Sequence, residues 1–437
     1  PNKLYLKKYL VLRIISLLIL ATSNIYKMKI LYLSYDGMTD SLGQSQVLPY
    51  LLRLAEKGIQ YTIISFEKEE NFITNKTTIE NLLKGTCIKW IPLKYTKRPP
   101  VLSTIFDVWK LKKAVKQELK QGTVDVIHCR SYISALAGLS FKRKKNIPFV
   151  FDMRGFYADE RLDGEIWSLK NPVFKLVYNF FKKKEKEFLT ESEAVVSLTD
   201  CGKQVIESWE LPNQSPISVI PCCTDETHFD PSKVDLDRLK SLKKELGIEE
   251  KDFVISYLGS IGTWYMLDEM IDFIKVLFTK KENSKALFIT REPKEMVLSK
   301  AREKGLDTSK IIIKSANREE VPTMVSLSDV SLFFIKPVFS KKASSPTKMG
   351  EILNLNIPIV CNSDVGDDDL VMNEILPEYL VKEFSDKEYE RVVTSLLENQ
   401  NKPNTALRKY ASDFFSLNKG VEIYYSIFKR ISTIKNG

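Results

Sequence analysis

The stretch that decides the fold reads Ala343-Ser-Ser-Pro-Thr-Lys-Met-Gly-Glu351, then Ile352-Leu-Asn-Leu-Asn356, then Ile357-Pro-Ile-Val-Cys-Asn362. Serine is a favoured N-cap residue and proline suits the first helical position, so Ser345 and Pro346 predict a helix that begins there. It should end near Leu355, because Pro358 follows. Apolar runs at residues 330–335 and 357–361 predict strands on either side. Strand, helix and strand in this order are typical of a parallel α/β sheet.

The start of this helix has the composition of an anion-binding site. It should lie at the carboxyl end of a parallel strand, where open α/β sheets bind ligands. The free amides and the helix dipole favour negative charge, and Ser344, Ser345, Thr347 and Lys348 add hydroxyl donors and a cation. A carboxylate one turn later, Glu351, would suit a ribose diol. These residues predict a cradle for a nucleotide diphosphate, although a capped helix with a solvated i,i+3 lysine–glutamate pair would have the same sequence.

Strands and helices alternate along most of the chain. In the first half the pattern predicts strands at residues 29–35, 61–66, 88–93, 124–129, 148–153, 195–198 and 217–221, and helices at 46–57, 103–121 and 172–189. In the second half it predicts strands at 253–258, 286–290, 311–314, 330–335, 357–361 and 379–381, and helices at 267–280, 294–304, 321–326, 346–355 and 387–399. Helices near 406–415 and 421–431 close the chain. The fold class is therefore α/β, with two doubly wound parallel sheets separated by the charged stretch 225–252.

Composition limits the partners. The chain has 437 residues, 43% of them hydrophobic and 28% charged, with a formal net charge of +10. Phosphorylated small molecules and anionic membranes both suit such a charge. No nucleic-acid-binding motif accompanies it, so nucleic acid is not an expected partner. The six cysteines form no CxxC pair and predict reduced thiols, and two histidines are too few for a histidine-rich metal site.

Other loops at strand ends carry candidate binding residues. The loop that follows the first strand is not a GxGxxG fingerprint, so a nicotinamide cofactor is not expected. Asp152-Met-Arg-Gly155 ends a strand, and Arg154 would hold a phosphate or orient an acceptor while Asp152 takes up a proton; a solvated loop with local ion pairs is the alternative. His128, also at a strand end, is expected to be a hydrogen-bonded core residue, with Arg130 the better ligand candidate. Arg291 closes another strand.

Together these stretches resemble glycosyltransferase family 4, which has the GT-B fold of two Rossmann-like domains facing a cleft. The resemblance extends over most of the chain from Met28 onward. It rests on five stretches: residues 36–45, Asp152-Met-Arg-Gly155, Val219-Ile-Pro-Cys222 with Phe229, residues 257–265, and residues 343–351. The domains it implies are residues 28–225 on the acceptor side, residues 226–416 on the donor side, and a last helix at about 417–437 that packs back on the first domain.

The resemblance also implies roles for individual residues. Family members use glycine loops to approach the donor phosphates, which points to Gly43 in the first domain. In the second domain it points to the loop with Gly259, Ser260, Gly262 and Thr263, beside which Trp264 and Tyr265 would line the cleft or simply pack. Relatives hold the diphosphate with a basic pair, here Lys341 and Lys348. The implied reaction is transfer of a sugar from a nucleotide-diphosphate donor with retention of configuration and with neither a metal ion nor a cofactor.

One departure from the family pattern is informative. The family has two glutamates eight residues apart; Glu351 matches the second, and Ala343 stands at the first. A degenerate scaffold subunit therefore remains an alternative to a transferase. A sugar-nucleotide epimerase is a second alternative, because it can share this two-domain architecture. The expected acceptor is a glycan or a lipid-linked glycan of the cell envelope.

The expected location is the cytosol, where nucleotide sugars are found. Peripheral contact with the inner face of the plasma membrane is an open alternative, because lysine-rich stretches occur at residues 142–145 and 182–186. Residues 1–27 are expected to be an extension without function, a peripheral anchor or a signal peptide. The apolar run at residues 9–21 is too short to span a bilayer.

Overall fold

Two parallel β-sheets form the frame of the molecule. The structure, a computed structural model, describes residues 28–400 and 405–436, so the predictions for residues 1–27 lie outside the described residues. The first sheet contains β1 (Lys29–Ser34), β2 (Gln60–Glu67), β3 (Ile88–Lys94), β4 (Val126–Arg130), β5 (Phe149–Asp152), β6 (Ala194–Ser197) and β7 (Ile217–Val219). The second contains β8 (Phe253–Leu258), β9 (Ser284–Ile289), β10 (Ile311–Lys314), β11 (Val330–Phe333), β12 (Ile359–Asn362) and β13 (Leu380–Val381).

Helices connect most of these strands. Up to the second sheet they are α1 (Ser41–Gln46), α2 (Leu48–Glu56), α3 (Glu69–Leu83), α4 (Leu102–Gln121), α5 (Ser131–Lys145), α6 (Tyr157–Asp163), α7 (Pro172–Glu191), α8 (Asp200–Glu207) and α9 (Leu236–Glu245). After β8 they are α10 (Leu267–Lys280), α11 (Lys294–Glu303), α12 (Val321–Val325), α13 (Thr347–Asn354), α14 (Asp368–Ile375), α15 (Asp386–Asn399), α16 (Thr405–Phe414) and α17 (Leu417–Asn436). Short 3₁₀ turns occur at Pro231–Lys233, Thr308–Lys310, Phe339–Ala343 and Pro377–Tyr379.

The strand order of each sheet reverses once. The first sheet runs β3-β2-β1-β4-β5-β6-β7 and the second runs β10-β9-β8-β11-β12-β13. Adjacent strands are parallel, for example β8 with β9 and β11 with β12. The predicted α/β class with two Rossmann-like parallel sheets is therefore confirmed. The reversals fall between β1 and β4 and between β8 and β11, which are the positions where sheets of this kind bind ligands.

The buried faces follow the expected periodicities. All six residues of β8 are buried, as is usual for a strand covered by helices on both sides. In α10 the buried residues lie three or four positions apart, which places them on the face toward the core: Met270, Ile271, Phe273, Ile274 and Leu277.

One predicted helix is wrong in its bounds. The helix expected at residues 46–57 is α2, which begins two residues later at Leu48, and the unpredicted short helix α1 precedes it, separated by Val47 at φ −125°, ψ −64°. Pro49 has no backbone N–H and its ring clashes with a preceding helical turn, so the new helix starts at Leu48 with proline in its first turn.

The chain divides into two compact units. The first contains the described residues up to Val150 and from Tyr425 onward, and the second is Phe151–Tyr424. The domain boundary expected at residues 225–226 stays a prediction. Among the described residues, no helix combines the length and the apolar character needed to cross a bilayer.

Candidate functional site

The candidate site is built around the strand reversal in the second sheet, within the second unit. The loop after β8 turns through Gly259 and Gly262, whose φ angles of +125° and +122° suit glycine far better than other residues. Thr263 also has a positive φ, 42°, and like Ser260 it is exposed. Main-chain hydrogen bonds then join this loop to the segment after β11, since the Lys336 amide donates to the Trp264 carbonyl at 2.9 Å.

Lys348, the second residue of α13, lies at the centre of this region. Its side chain is buried, and its Nζ lies 3.7 Å from the ring centroid of Tyr265 and 4.3 Å from that of Tyr257. No hydrogen-bond partner for this Nζ exists among the described residues. A Cβ on Gly259 would come within 3.1 Å of the same nitrogen, so the glycine leaves room for the lysine. Loss of hydration lowers the pKa of Lys348 well below that of an ordinary lysine, and nearby Glu351 only partly opposes the shift.

Glu351 lies one turn further along α13 and is also buried. One of its oxygens is 3.3 Å from Nη1 of Arg318, whose guanidinium lies over the Phe229 ring at 5.7 Å. Burial raises the pKa of the Glu351 carboxyl, while Arg318 and then Lys348 act to lower it. The solvated i,i+3 pair considered from the sequence is therefore wrong: both side chains are buried, and Glu351 pairs with the half-buried Arg318.

Arg318 was not predicted as a site residue. It lies in the loop between β10 and α12, after the carboxyl end of a parallel strand. Its position at that edge of the sheet is the one signal that the sequence offers, and many loop arginines share it.

The start of α13 differs from the prediction. The helix begins at Thr347, with Pro346 in the N-cap position and no side-chain cap, so Ser345 is not the cap. The Ser345 hydroxyl instead accepts a hydrogen bond from the Cys222 amide at 3.1 Å. Ser344, Ser345 and Thr347 are all half-buried beside the uncapped amides of the first turn, and their contact with phosphate stays a prediction.

Lys341 is as buried as Lys348 but is paired. Its Nζ lies 2.6 Å from a carboxylate oxygen of Glu160 and 3.7 Å from the ring centroid of Trp264. The neighbouring Ser340 amide donates to Asp163 at 2.9 Å. Both acids belong to α6, so this helix holds the segment in which the lysine lies. The assignment of Lys341 to the diphosphate stays a prediction.

Ala343, at the position of the family's first glutamate, packs closely against the start of α8. A Cβ on Gly202 would lie 2.9 Å from the Ala343 Cβ. The Thr199 hydroxyl donates to the Lys342 carbonyl at 2.7 Å, and Asp367 accepts from the Asp200 amide at 2.8 Å. The alanine is therefore matched by a glycine, and a longer side chain here would have to displace α8.

Asp152 and Arg154 form a second cluster in the same unit. Asp152 is buried, with Oδ1 3.7 Å from Nη1 of Arg154, and Oδ2 accepts from the Tyr424 hydroxyl at 3.2 Å. Arg154 has a φ of +60°, and its Nη2 lies 3.4 Å from the Cys222 sulfur. The solvated loop with local ion pairs considered from the sequence is therefore wrong in its exposure, because Asp152 is buried, although the local ion pair is present. The roles in acceptor binding and proton uptake stay predictions.

The remaining candidates lie apart from this cluster or in the other unit. Arg291 is exposed after the end of β9. Gly43 lies in α1, where a Cβ would come 2.1 Å from the Gly37 carbonyl oxygen, so close packing of its own loop requires glycine there. Its contact with the donor stays a prediction. His128 packs edge-on against Tyr32, with ring centroids 4.7 Å apart, as expected for a core residue.

Comparison with known proteins gives two matches in sequence. The model of Glycosyltransferase Family 4 matches residues 43–228, and the model of Glycosyl transferases group 1 matches residues 240–414. No curated protein sequence matches the chain.

Solved structures match the fold at low sequence identity. A glycosyltransferase from Rickettsia africae ESF-5 has a TM-score of 0.67 at 17% identity, over 94% of this chain and 100% of that chain. Sucrose-phosphate synthase from Thermosynechococcus elongatus has a TM-score of 0.68 at 12% identity, over 93% and 100%. HepE from Anabaena, in complex with UDP, has a TM-score of 0.67 at 13% identity, over 92% and 100%. At these identities the similarity establishes the fold alone.

Proposed function

Because this chain belongs to glycosyltransferase family 4, as its sequence motifs predicted, we propose that it transfers a sugar from a nucleoside-diphosphate donor to a glycan or lipid-linked acceptor. Glycosyltransferase activity follows from the family. Our proposal adds retention of configuration, a reaction without a metal ion, and a role in the synthesis of cell-envelope polysaccharide or glycolipid in the cytosol. UDP bound to HepE, a protein of the same fold, supports a nucleotide donor.

The buried, unpartnered ammonium of Lys348 is the observation that carries the proposal. A buried lysine without a hydrogen-bond acceptor is costly, and proteins seldom keep one without a function. Its environment includes the ring faces of Tyr257 and Tyr265, which attract a cation but accept no conventional hydrogen bond from it, and Gly259, which leaves it room. An anionic ligand would supply the missing acceptor. The diphosphate of a sugar nucleotide has the charge and the oxygen atoms for this.

The neighbouring groups suit the other parts of such a donor. The first-turn amides of α13 favour a second phosphate oxygen, because a helix start carries a partial positive charge. Glu351 is held by Arg318 on one oxygen, at 3.3 Å, so the carboxylate is oriented to accept from the hydroxyls of a ribose. The glycine loop after β8 lets the main chain approach the phosphates closely.

These groups also suit the chemistry of transfer. The bond between the anomeric carbon and the phosphate oxygen breaks, and the nucleoside diphosphate leaves with increasing negative charge. Lys348 and the α13 amides would stabilise that charge most strongly as it develops, which is the condition for acceleration. The acceptor hydroxyl forms the new bond on the same face of the sugar, and the Asp152–Arg154 pair is our candidate for orienting it and receiving its proton.

Calorimetric titration of the full chain with UDP, GDP and ADP tests the proposal. We expect one of them to give a saturable heat that weakens strongly in Lys348→Ala. The matched control is Lys294→Ala, because Lys294 is an exposed lysine at the start of α11. A chain that binds none of the diphosphates would be a scaffold, and conversion of a sugar nucleotide without any acceptor would identify an epimerase.

A further inference from the structure

Helix α4 exposes a row of large apolar side chains to solvent. Leu102, Ile105, Phe106 and Trp109 are 63%, 60%, 49% and 55% exposed. Their spacing of three and four residues places them on one side of the helix, over its first two turns. The rings of Phe106 and Trp109 stack with centroids 5.6 Å apart, so the row forms a continuous surface. We call these four residues the α4 apolar face.

The opposite side of α4 is buried and hydrogen-bonded, so the fold determines which side of the helix faces solvent. Asp107 is completely buried and accepts hydrogen bonds from the Tyr35 hydroxyl at 3.0 Å and the Thr96 hydroxyl at 2.7 Å. Leu111 and Val115 continue the buried side. A rotation of the helix that hid the apolar face would break the bonds to Asp107 and expose these two side chains.

Basic residues flank the α4 apolar face. Six cations lie in this part of the chain: Lys97, Arg98, Lys110, Lys112, Lys113 and Lys116. The one acidic residue between residues 95 and 117 is the buried Asp107, which pairs with Lys110 at 2.6 Å. The Lys113 ammonium lies 5.4 Å from the centre of the Trp109 ring, at the border of the apolar surface. Apolar side chains bordered by lysines are typical of helices that lie in a membrane interface.

Helix α7 provides an internal contrast. It also exposes apolar side chains, among them Val173, Leu176 and Phe180. Its five lysines, however, are interspersed with three glutamates, and two of them are paired within the protein: Lys182 with Asp159 and with Glu185, and Lys184 with Glu187 at 2.7 Å. Lys97, Arg98, Lys113 and Lys116 form no ion pair within residues 28–400 and 405–436. Charge complementarity with an anionic surface therefore favours α4.

We propose that the α4 apolar face docks on a bilayer that contains anionic lipids. Leu102, Ile105, Phe106 and Trp109 enter the boundary between head groups and acyl chains, and the flanking lysines and arginine contact the lipid phosphates. Burial of the apolar side chains would provide most of the affinity, and the basic residues would make the binding selective for anionic lipid. This docking is independent of the transfer reaction and would place the enzyme beside a lipid-linked acceptor.

Co-sedimentation of the full chain with vesicles tests the docking. We expect binding to phosphatidylcholine vesicles that contain phosphatidylglycerol, and much weaker binding to phosphatidylcholine alone. The variant Ile105→Glu/Trp109→Glu should lower the partition coefficient by at least about tenfold, since it replaces two apolar side chains that would enter the bilayer by carboxylates that anionic lipid repels. The matched control is Ile73→Glu, because Ile73 in α3 is 77% exposed but stands alone. Thermal unfolding of each variant checks that the fold is retained.

Fluorescence quenching by lipids with brominated acyl chains tests the position of the face itself. Residues 1–27 contain no tryptophan, so membrane contact by that segment cannot imitate the signal. We expect strong quenching in the wild type and much less in Trp109→Phe, which keeps an apolar side chain. Equal quenching in both, or unchanged sedimentation of the double glutamate variant, would overturn the proposal. A third outcome would also overturn it: the wild type binds neither kind of vesicle but self-associates through this face. Sedimentation equilibrium would show that self-association in the wild type and its loss in the double glutamate variant.

Discussion

Two buried lysines lie in the candidate site, and they differ in whether a carboxylate pairs with them. Lys341 is 5% exposed and Lys348 is 7% exposed, and each ammonium lies 3.7 Å from an aromatic ring centroid. Lys341 has a carboxylate partner, Glu160, at 2.6 Å, whereas the Nζ of Lys348 has no hydrogen-bond acceptor within the described residues. Burial and aromatic contact are therefore shared, and the partner is what distinguishes them. We infer that the pairing of Lys341 with Glu160 stabilises the fold and that Lys348 binds an anionic ligand.

The largest expected effect comes from removing each lysine in turn. Lys348→Ala should lower kcat by roughly 100- to 1,000-fold, because one preorganised donor to a developing anion is worth that much. Lys341→Ala should lower it by less than about tenfold, since its charge is already compensated by Glu160. Steady-state kinetics with the identified donor and acceptor measures both. Equal losses in the two variants would show that the presence of a partner does not separate their roles.

Glu351 is our candidate ligand for the ribose, and its replacement can be compared with that of Lys348, our candidate ligand for the diphosphate. Glu351→Gln should weaken the binding of a nucleoside diphosphate about tenfold or more, because hydrogen bonds to a charged group contribute roughly 1.5–3 kcal/mol. It should leave the affinity for inorganic pyrophosphate unchanged, whereas Lys348→Ala should lower both affinities. Calorimetry with the two ligands separates these cases. Parallel losses for pyrophosphate in Glu351→Gln would contradict the assignment of this carboxylate to the ribose.

Removing the partner of Lys341 gives the converse test. Glu160→Gln leaves a buried ammonium without a countercharge, and breaking such a pair destabilises a protein. The Glu160 side chain is more than a third exposed, so the expected cost is about 1–2 kcal/mol rather than that of a fully buried pair. Urea unfolding of the variant and the wild type measures it. Lys300→Gln serves as control, because Lys300 forms its ion pairs with Asp268 and Glu303 at the surface.

Most of the fold follows from local sequence patterns. The strand β8 and the helix α10 were predicted with their observed ends, because a continuous apolar run and a helical stripe leave little choice. The short helix α1 was missed, since its residues 41–46 include a single large apolar side chain, Leu42, and form no helical stripe. Periodicity reports which face is buried and says little about where one helix ends and the next begins.

The candidate site was only partly predictable. The helix start and its Lys348 and Glu351 could be found because spacing along one helix fixes which side chains are neighbours. Arg318 and Glu160 reach the site from other elements of the second unit, and no local pattern pairs a lysine with an acid 181 residues away. Ser345 shows the same limitation, since it was taken for a cap and its hydroxyl instead accepts from the distant Cys222 amide.

The smallest expected effect is a pH dependence of stability that belongs to Lys348. Burial holds its pKa in the folded state below the ordinary value of 10.5. Between these two pKa values the unfolded chain binds one more proton at this residue, so the free energy of unfolding of the wild type should rise with pH there. Below pH 10.5 the burial of this lysine costs stability, and at neutral pH Lys348→Met should therefore be more stable than the wild type by about 1 kcal/mol. That advantage should shrink as the pH approaches 10.5, where the unfolded chain also loses the proton.

Urea unfolding of Lys348→Met and the wild type from neutral to alkaline pH measures this difference in stability. A difference that stays constant with pH would show that the surrounding ring faces already compensate the lysine for its lost hydration.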